Sequence, residues 1–432
     1  MTALDPPTVA VVHAPFAAAS LREILVAAGS GPQVILFFRE CVAARNPGLV
    51  EVCKRMLPVR VVTDDPRDVD LAGITAVLTF SDHELEFADQ LTARLAGSAT
   101  TGTPIAGADV WSKSAQRRTL RDTGLSKVTG IEVRTPAELI AGVSMVGLPA
   151  FLKPIRGAGG AGVLQLRTAD EVEAAARGLA GEAQVLEQAI PLLPSHPNVP
   201  WLGPLFSVEV STNALGEHTV MTTFAKVPMQ EVVVSEGSDG ALQRTVRVCG
   251  DVHPAFLDDI QLAELHERCC QALTALGVRG RVTHTELLAT GDGFEVVEVN
   301  GRMGGFLNRL LGHTSGLDLV RSALETAAGR PLSTADVPTG SVALGYFPGF
   351  RDLRGTVRGG FQKGELTQLA GVRSVEWVAA TGAARSDGDG RLCNVVLSAG
   401  SEPELHDGAA AVTSLLDASF TADGGLPGFA DS

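Results

Sequence analysis

Val282-Thr283-His284-Thr285-Glu286 and, shortly after it, Val297-Glu298-Val299-Asn300-Gly301-Arg302-Met303-Gly304-Gly305 decide how this chain is read. Each run is apolar and β-branched, and Gly291-Asp292-Gly293 between them predicts a hairpin turn. Acids seldom stand in apolar strands without a partner, because burying an unpaired charge is costly. Two carboxylates and an amide carbonyl form an oxygen-donor set that suits magnesium. Arg302, two residues past the amide, adds a planar cationic fork suited to phosphate or carboxylate.

Upstream, Gly157-Ala158-Gly159-Gly160-Ala161-Gly162 satisfies G-x-G-x-x-G to the letter. A dinucleotide fingerprint needs a helix to begin within those glycines. Here Val163–Leu166 follows at once and reads as strand, and the next helix waits for Thr168. A glycine loop between two strands is a hairpin flap whose bare N–H groups can close over phosphate, or else a plain surface hairpin. Lys153-Pro154 just before it favours the phosphate reading. A lone lysine is otherwise most often a solvated edge residue.

Working outward, Val9–Val12, Val34–Phe38, Val59–Thr63 and Ile74–Phe80 read as buried parallel strands, with helices at Leu21–Ala28 and Glu84–Leu95. That pattern predicts a doubly wound α/β domain over residues 1–108, followed by a linker at Gly97–Pro104. A central α+β domain spans 109–335. Its helices are read at Asp109–Thr123, Pro136–Gly142, Ala169–Leu179 and Asp258–Leu276, the last expected to be the longest. Its strands are read at Ala150–Pro154, Val163–Leu166, Val185–Ala189, Phe206–Ser211, Thr219–Lys226, Thr283–Ala289 and Phe294–Asn300. A further α+β unit covers 336–432, with a closing helix Glu404–Ala418 and a frayed end Ala422–Ser432. Pro191–Pro204, with five prolines, reads as a lid or a surface excursion.

The length of 432 residues predicts two or three domains, and 45% hydrophobic with 19% charged residues is a globular balance. A net charge of −14 with no basic patch argues against nucleic acid. Six cysteines without CxxC spacing read as reduced thiols, hence a cytoplasmic chain. No stretch is long and apolar enough to predict a membrane span, and Met1–Pro7 lacks the basic start of a secretory signal.

Lys113, Lys153 with the glycine flap, Glu187-Gln188-Ala189-Ile190, and Glu286 followed by Glu298-x-Asn300-x-Arg302 together resemble the ATP-grasp superfamily. The finer resemblance, carried by Thr283–Glu286 and Asn300–Gly305, is to the L-amino-acid α-ligase and carnosine-synthase-like carboxylate–amine ligases. The resemblance implies ATP with magnesium, or manganese in its place, a small-molecule carboxylate and amine as partners, and a homodimer through the first domain. It implies that Lys113, Lys153, Gly157, Gly159 and Gly160 hold phosphates. Glu187, Gln188, Ala189 and Ile190 would form the strip that reads adenine. Glu286, Glu298 and Asn300 would bind metal, and Arg302 and Lys226 would serve the transferring phosphoryl group as catalytic residues. Glu209, Gly304, Gly305 and Asn308 would lie at the substrate. The sequence departs from the family at Leu205-Phe206, where an acid for the ribose hydroxyls is common.

The implied reaction is amide-bond formation through an acyl phosphate with release of ADP. The alternative is a biotin-carboxylase-like or purine-biosynthesis-like enzyme activating bicarbonate or formate. Gly304-Gly305 stands where biotin carboxylases continue into Gln-Val-Glu-His. A nucleotide-binding module without turnover is the third reading, disfavoured by the intact acid set. His284 is expected to support the acids by hydrogen bonding and not to bind metal, since magnesium prefers oxygen. His313 reads as a solvated loop histidine or else a substrate contact, Arg309 as a candidate for a substrate carboxylate, and Cys269-Cys270 as small packing residues.

Overall fold

The computed structural model describes residues 6–29, 31–98, 110–157, 159–236, 240, 242–332, 340–357, 359–384 and 390–420. Asp109, Ala158, the linker from residue 99 onward and the end Ala422–Ser432 lie outside these residues. Gly97 and Ser98 of the expected linker complete a helix instead.

The chain begins β1 (Thr8–Val12), α1 (Leu21–Ala28), β2 (Gln33–Arg39), α2 (Glu40–Arg45), α3 (Pro47–Lys54), β3 (Val59–Val62), β4 (Ala76–Thr79) and α4 (Leu85–Ser98). The four strands pair in parallel in the order β3-β2-β1-β4. Alternation explains their unbroken apolar runs. Val9 and Val11 enter a core with Ile24, Leu310 and Leu324, while Ala10 and Val12 enter another with Phe87 and Leu91. Both faces are covered, as in a doubly wound domain.

Next come α5 (Lys113–Asp122), β5 (Gly130–Val133), α6 (Pro136–Val146), β6 (Ala150–Pro154), β7 (Leu164–Leu166), α7 (Ala169–Arg177) and β8 (Gln184–Gln188). Helix α6 runs past Gly142, which is no stop signal. It lies against Ile131 and Leu186, where a Cβ would come within 2.7 Å of the Ile131 side chain. Then follow β9 (Leu205–Thr212), β10 (His218–Lys226), β11 (Gln230–Glu236), β12 (Leu242–Arg247), β13 (Gly250–His253), α8 (Asp259–Ala275), β14 (Arg281–Thr290) and β15 (Gly293–Asn300). The chain continues through α9 (Leu307–Thr314), α10 (Leu319–Ala327), β16 (Val342–Tyr346), α11 (Lys363–Thr367), β17 (Val372–Val378), β18 (Cys393–Ala399) and α12 (Glu402–Ser419).

These strands form a six-stranded sheet, β11-β12-β7-β6-β8-β5, and an eight-stranded sheet, β15-β14-β9-β10-β13-β16-β18-β17. Strand β16 pairs with β13, Gly250 opposite Tyr346, so the boundary expected at 335/336 divides the chain but not the sheet. Strands β11 to β13 escaped the sequence reading. Helix α12 has 18 residues and α8 has 17, so α8 is not the longest. The proline-rich segment is packed down, not poised as a lid. His196 accepts from the N–H groups of Asn198 and Val199 and reaches Ala255 O, and Leu193 N donates to Ala289 O. None of the helices among the described residues is long and apolar enough to cross a membrane, and the six cysteines are all free thiols.

Candidate active site

Strand β14 lies between β9 and β15, and its register builds the site. Glu286 stands opposite Glu298 on β15 and Ser207 on β9, while His284 stands opposite Asn300 and Glu209. Residues two apart share a face, so the two rows lie side by side on one surface. Like charges directly opposite repel across a sheet. Each carboxylate meets a basic side chain. Lys113 Nζ lies 2.6 Å from Glu298 Oε1, and His284 Nε2 lies 3.4 Å from Glu286 Oε1. Burial would raise the Glu286 pKa, but the hydrogen bond and charge of His284, with Lys226 and Arg302, hold it at about 2.

Behind this pair His284 Nδ1 faces Glu209 Oε1 at 2.5 Å, and Glu209 Oε2 accepts the Gly304 N–H at 3.0 Å. Burial alone would lower the His284 pKa, yet the Glu209 charge and hydrogen bond raise it. Glu209 is fully buried, with both oxygens engaged, and does not line the cleft. The expected substrate contact is therefore corrected. As a residue of an interior strand, Glu209 holds His284 and the Gly304 turn in place. Gly304 itself leaves no room for a side chain, since a Cβ would sit 2.3 Å from Leu307 and 2.6 Å from His284.

A cleft of about 590 Å³ opens between the two large sheets. One wall is the expected flap. β6 and β7 pair antiparallel, Ala150 with Leu166, and the hairpin turn between them holds Gly159 at φ 63° and Gly160 at φ 75°. Such positive φ values favour glycine, whose missing side chain lets a ligand approach the backbone closely. Lys113 opens α5 behind the Ser112 N-cap and also donates to Gly157 O at 3.0 Å. Lys153 Nζ lies 2.6 Å from Glu187 Oε2, whose other oxygen is 3.3 Å from Arg117 Nε. Burial would raise the Glu187 pKa, but the charges and hydrogen bonds of Lys153 and Arg117 hold it at about 2. The Glu187 carboxylate orients Lys153 while Glu187 itself lines the cleft. Ala189 donates its N–H to Pro149 O at 3.0 Å and does not line the cleft, whereas Gln188 and Ile190 do. Phe151, Val163, Ile190, Leu192, Leu205 and Leu288 make this end of the cleft an apolar slot.

Arg302 and Lys226 line the cleft with their charges already matched. Arg302 donates from Nε and Nη2 to Asp82 Oδ2 at 3.1 and 2.6 Å, tying the sheet to the N-terminal unit. Lys226 pairs with Asp251, its cross-strand partner on β13. Burial would lower the Lys226 pKa, but Asp251, Glu286 and Glu209 raise it, so this residue is a fixed cation and not a base.

At the far end Gly305 lines the cleft beside Phe16, Phe306 and Phe347. Phe16 and Phe306 hold φ values of 61° and 71°, a backbone region uncommon for bulky residues. Asn308 is corrected as well. Its Oδ1 accepts from Leu319 N at 2.7 Å and its Nδ2 reaches Glu23, so it joins two helices away from the cleft. Arg309 pairs with Glu376 at 2.7 Å. Sequence reasoning missed Asp82, Asp251, Arg117, Arg247, Arg391 and the phenylalanines, because no local pattern marks them.

The oxygen-donor set fits a hard divalent cation. Asn300 and both glutamates reach the cleft, and the Oε2 atoms of Glu286 and Glu298 have no protein partner among the described residues.

Residues 231–335 match the family model of the carbamoyl-phosphate synthase L chain, ATP binding domain. No curated protein sequence matches. Among solved structures, the chain is similar to the L-amino acid ligase from Bacillus licheniformis at 21% identity and a TM-score of 0.66, covering 96% of this chain and 98% of that one. An N5-carboxyaminoimidazole ribonucleotide synthetase in an ADP complex gives 14% identity and a TM-score of 0.67, covering 97% and 100%. The N5-carboxyaminoimidazole synthase from Aspergillus clavatus, with ADP and 5-aminoimidazole ribonucleotide, gives 16% and 0.63 over 96% and 99%. With two antiparallel sheets enclosing a glycine-hairpin cleft and likenesses that run nearly end to end, this chain has the ATP-grasp fold.

Proposed function

We propose that this protein is an ATP-dependent carboxylate–amine ligase that forms an amide or peptide bond through an acyl phosphate, releasing ADP and phosphate. The observation that carries it is the facing pair Glu286 and Glu298 beside Asn300, opening on the same cleft as Lys113, Lys153 and the glycine hairpin. An adenine ring fits the apolar slot between Phe151 and Leu288, beside Gln188 and Ile190. The triphosphate then runs under the hairpin toward the carboxylates. Magnesium, or manganese, held by Glu286, Glu298 and Asn300, would screen the phosphate charge.

Phosphoryl transfer is governed mainly by positioning and charge neutralisation, and this cleft is built of both. Without nucleotide, each cation answers a protein carboxylate: Lys113 to Glu298, Lys153 to Glu187, Lys226 to Asp251, Arg302 to Asp82. Lys113 can turn to phosphate oxygens as a divalent cation takes over Glu298, and Lys153 can turn because Arg117 still answers Glu187, while Lys226 and Arg302 act from beside Asp251 and Asp82. A substrate carboxylate oxygen attacks the γ-phosphorus and ADP leaves. An amine then attacks the acyl carbon, phosphate departs, and the amine gives up a proton. Lys226, fixed as a cation, and Arg302 stabilise the transferring group. The hairpin keeps water from the acyl phosphate. The second substrate lies toward Gly305, Phe16, Phe306 and Phe347.

The test is a phosphate-release screen over paired amino acids with mass detection of the condensed product. ADP formation that depends on two substrates and yields their amide supports the reading. The near-equal likeness to carboxyaminoimidazole synthetases keeps one second reading, activation of bicarbonate, which ADP formation with bicarbonate and no amino acid would favour. A homodimer through residues 1–108, in the cytoplasm, belongs to the same proposal and is checked by sedimentation.

A further inference from the structure

Strand β15, which carries Glu298 and Asn300, is an edge of the eight-stranded sheet. An edge strand leaves backbone N–H and C=O groups without a neighbouring strand. Val299, between the two donors, is fully buried, so its backbone groups need partners inside the protein. Helix α5 supplies them from its side chains. Gln116 Oε1 accepts the Val299 N–H at 2.8 Å, and Gln116 Nε2 donates to Val299 O at 2.7 Å. That two-way exchange reproduces what a paired residue gives in an antiparallel ladder. The same Nε2 also donates to Val110 O at 2.7 Å, which fixes the amide's orientation. Arg117, the next residue, donates to Val296 O and Val297 O at 3.2 and 3.1 Å, so α5 braces the strand along its length.

We propose that Gln116 is a positioning residue for the divalent-cation site. Its amide clamps the one backbone unit flanked by Glu298 and Asn300 and so sets where both donors stand against Glu286. The inference rests on the nucleotide reading above. Gln116 does not line the cleft, and its hydrogen bonds go to backbone atoms of Val110 and Val299. A residue that only closed a sheet edge would affect stability alone, whereas a positioning residue shifts metal dependence before nucleotide affinity.

The experiment follows thermal stabilisation of the full chain by ADP in two arms, with chelator and with a magnesium titration. Gln116→Met keeps the length and removes all three hydrogen bonds. Gln116→Glu keeps an acceptor for the Val299 N–H and turns a second oxygen toward two carbonyls. Both variants should retain the chelator-arm response to ADP. The magnesium concentration giving half of the further stabilisation should rise by about 10- to 100-fold, as for other residues that orient metal ligands. Half-saturation of ADP formation by magnesium should rise in parallel. If Gln116→Met does not fold, Gln116→Glu carries the comparison alone. Unchanged magnesium midpoints overturn the proposal. So does equal weakening of both arms, which marks a general packing role. A wild-type chain that gains nothing from ADP in either arm overturns the nucleotide reading itself, and does so before any variant is measured.

Discussion

Lys113 Nζ lies 2.6 Å from Glu298 Oε1, although 185 residues separate them. A cation at the start of a helix thus rests against one of two facing carboxylates, with its remaining hydrogen bond on the glycine hairpin at Gly157 O. Nucleotide and metal together offer each side of that pair a better partner, a phosphate for the lysine and a divalent cation for the acid.

Glu298→Ala should therefore reduce ADP formation by about 100-fold or more, the scale on which lost transition-state charge stabilisation acts. The side chain is partly exposed, so the thermal midpoint should stay within about 4 °C of the wild type. Near-normal ADP production by a folded Glu298→Ala chain would remove the metal assignment.

Lys226 and Asp251 are buried and paired across β10 and β13. Replacing one partner, as in Lys226→Met, leaves an uncompensated buried charge and should cost about 3–5 kcal/mol. Joint replacement by Lys226→Met and Asp251→Leu should restore much of that loss. Urea unfolding of the two single variants and the double variant reads the coupling directly.

Acid should destabilise the protein in two stages. His13 and His253 are pushed by burial from 6.5 to about 4. Neutral in the folded chain, they contribute stability that is whole above pH 6.5 and fades as pH falls toward 4. Glu187 and Glu286, lowered from 4.5 to about 2 against the opposing effect of burial, contribute stability that is whole above 4.5 and fades toward 2. Each group adds a slope of about 1.4 kcal/mol per pH unit within its window. His13→Phe should lessen the fall in unfolding free energy between pH 6.5 and 4, with the His253 share remaining, and leave the lower stage intact.

Glu209 and Asn308 should behave as braces and not as substrate contacts. Glu209→Gln weakens the hold on His284 and should cost about 1–3 kcal/mol of stability. Asn308→Ala removes one accepted hydrogen bond from Leu319 N and should cost about 1 kcal/mol. Its KM for either substrate should be unchanged. A large KM rise for one substrate in folded Asn308→Ala would return that residue to the site.

The alternating fold of the first hundred residues was legible, because Val9 to Val12 and Val34 to Phe38 announce strands buried on both faces. The hairpin reading of Gly157–Gly162 was legible too, since Val163–Leu166 leaves no place for a helix. Strands β11 to β13 were not. Gln230–Arg247 mixes polar and apolar residues without clean alternation, because those strands are only half-buried along much of their length.

What the sequence determined by itself was the face on which the acids lie. Glu286 and His284, and likewise Glu298 and Asn300, are two residues apart, and strand geometry then places each couple on one side. Which cation answers which acid was decided only by the tertiary structure. The partners Lys113, Asp82, Asp251 and Glu209 come from other strands, helices and sheets. Cross-strand register and the closure of one sheet over another are long-range events with no imprint on local spacing. Glu209 shows the consequence: nothing near it in sequence says that an acid on a strand will be sealed inside the sheet and serve only to hold its neighbours.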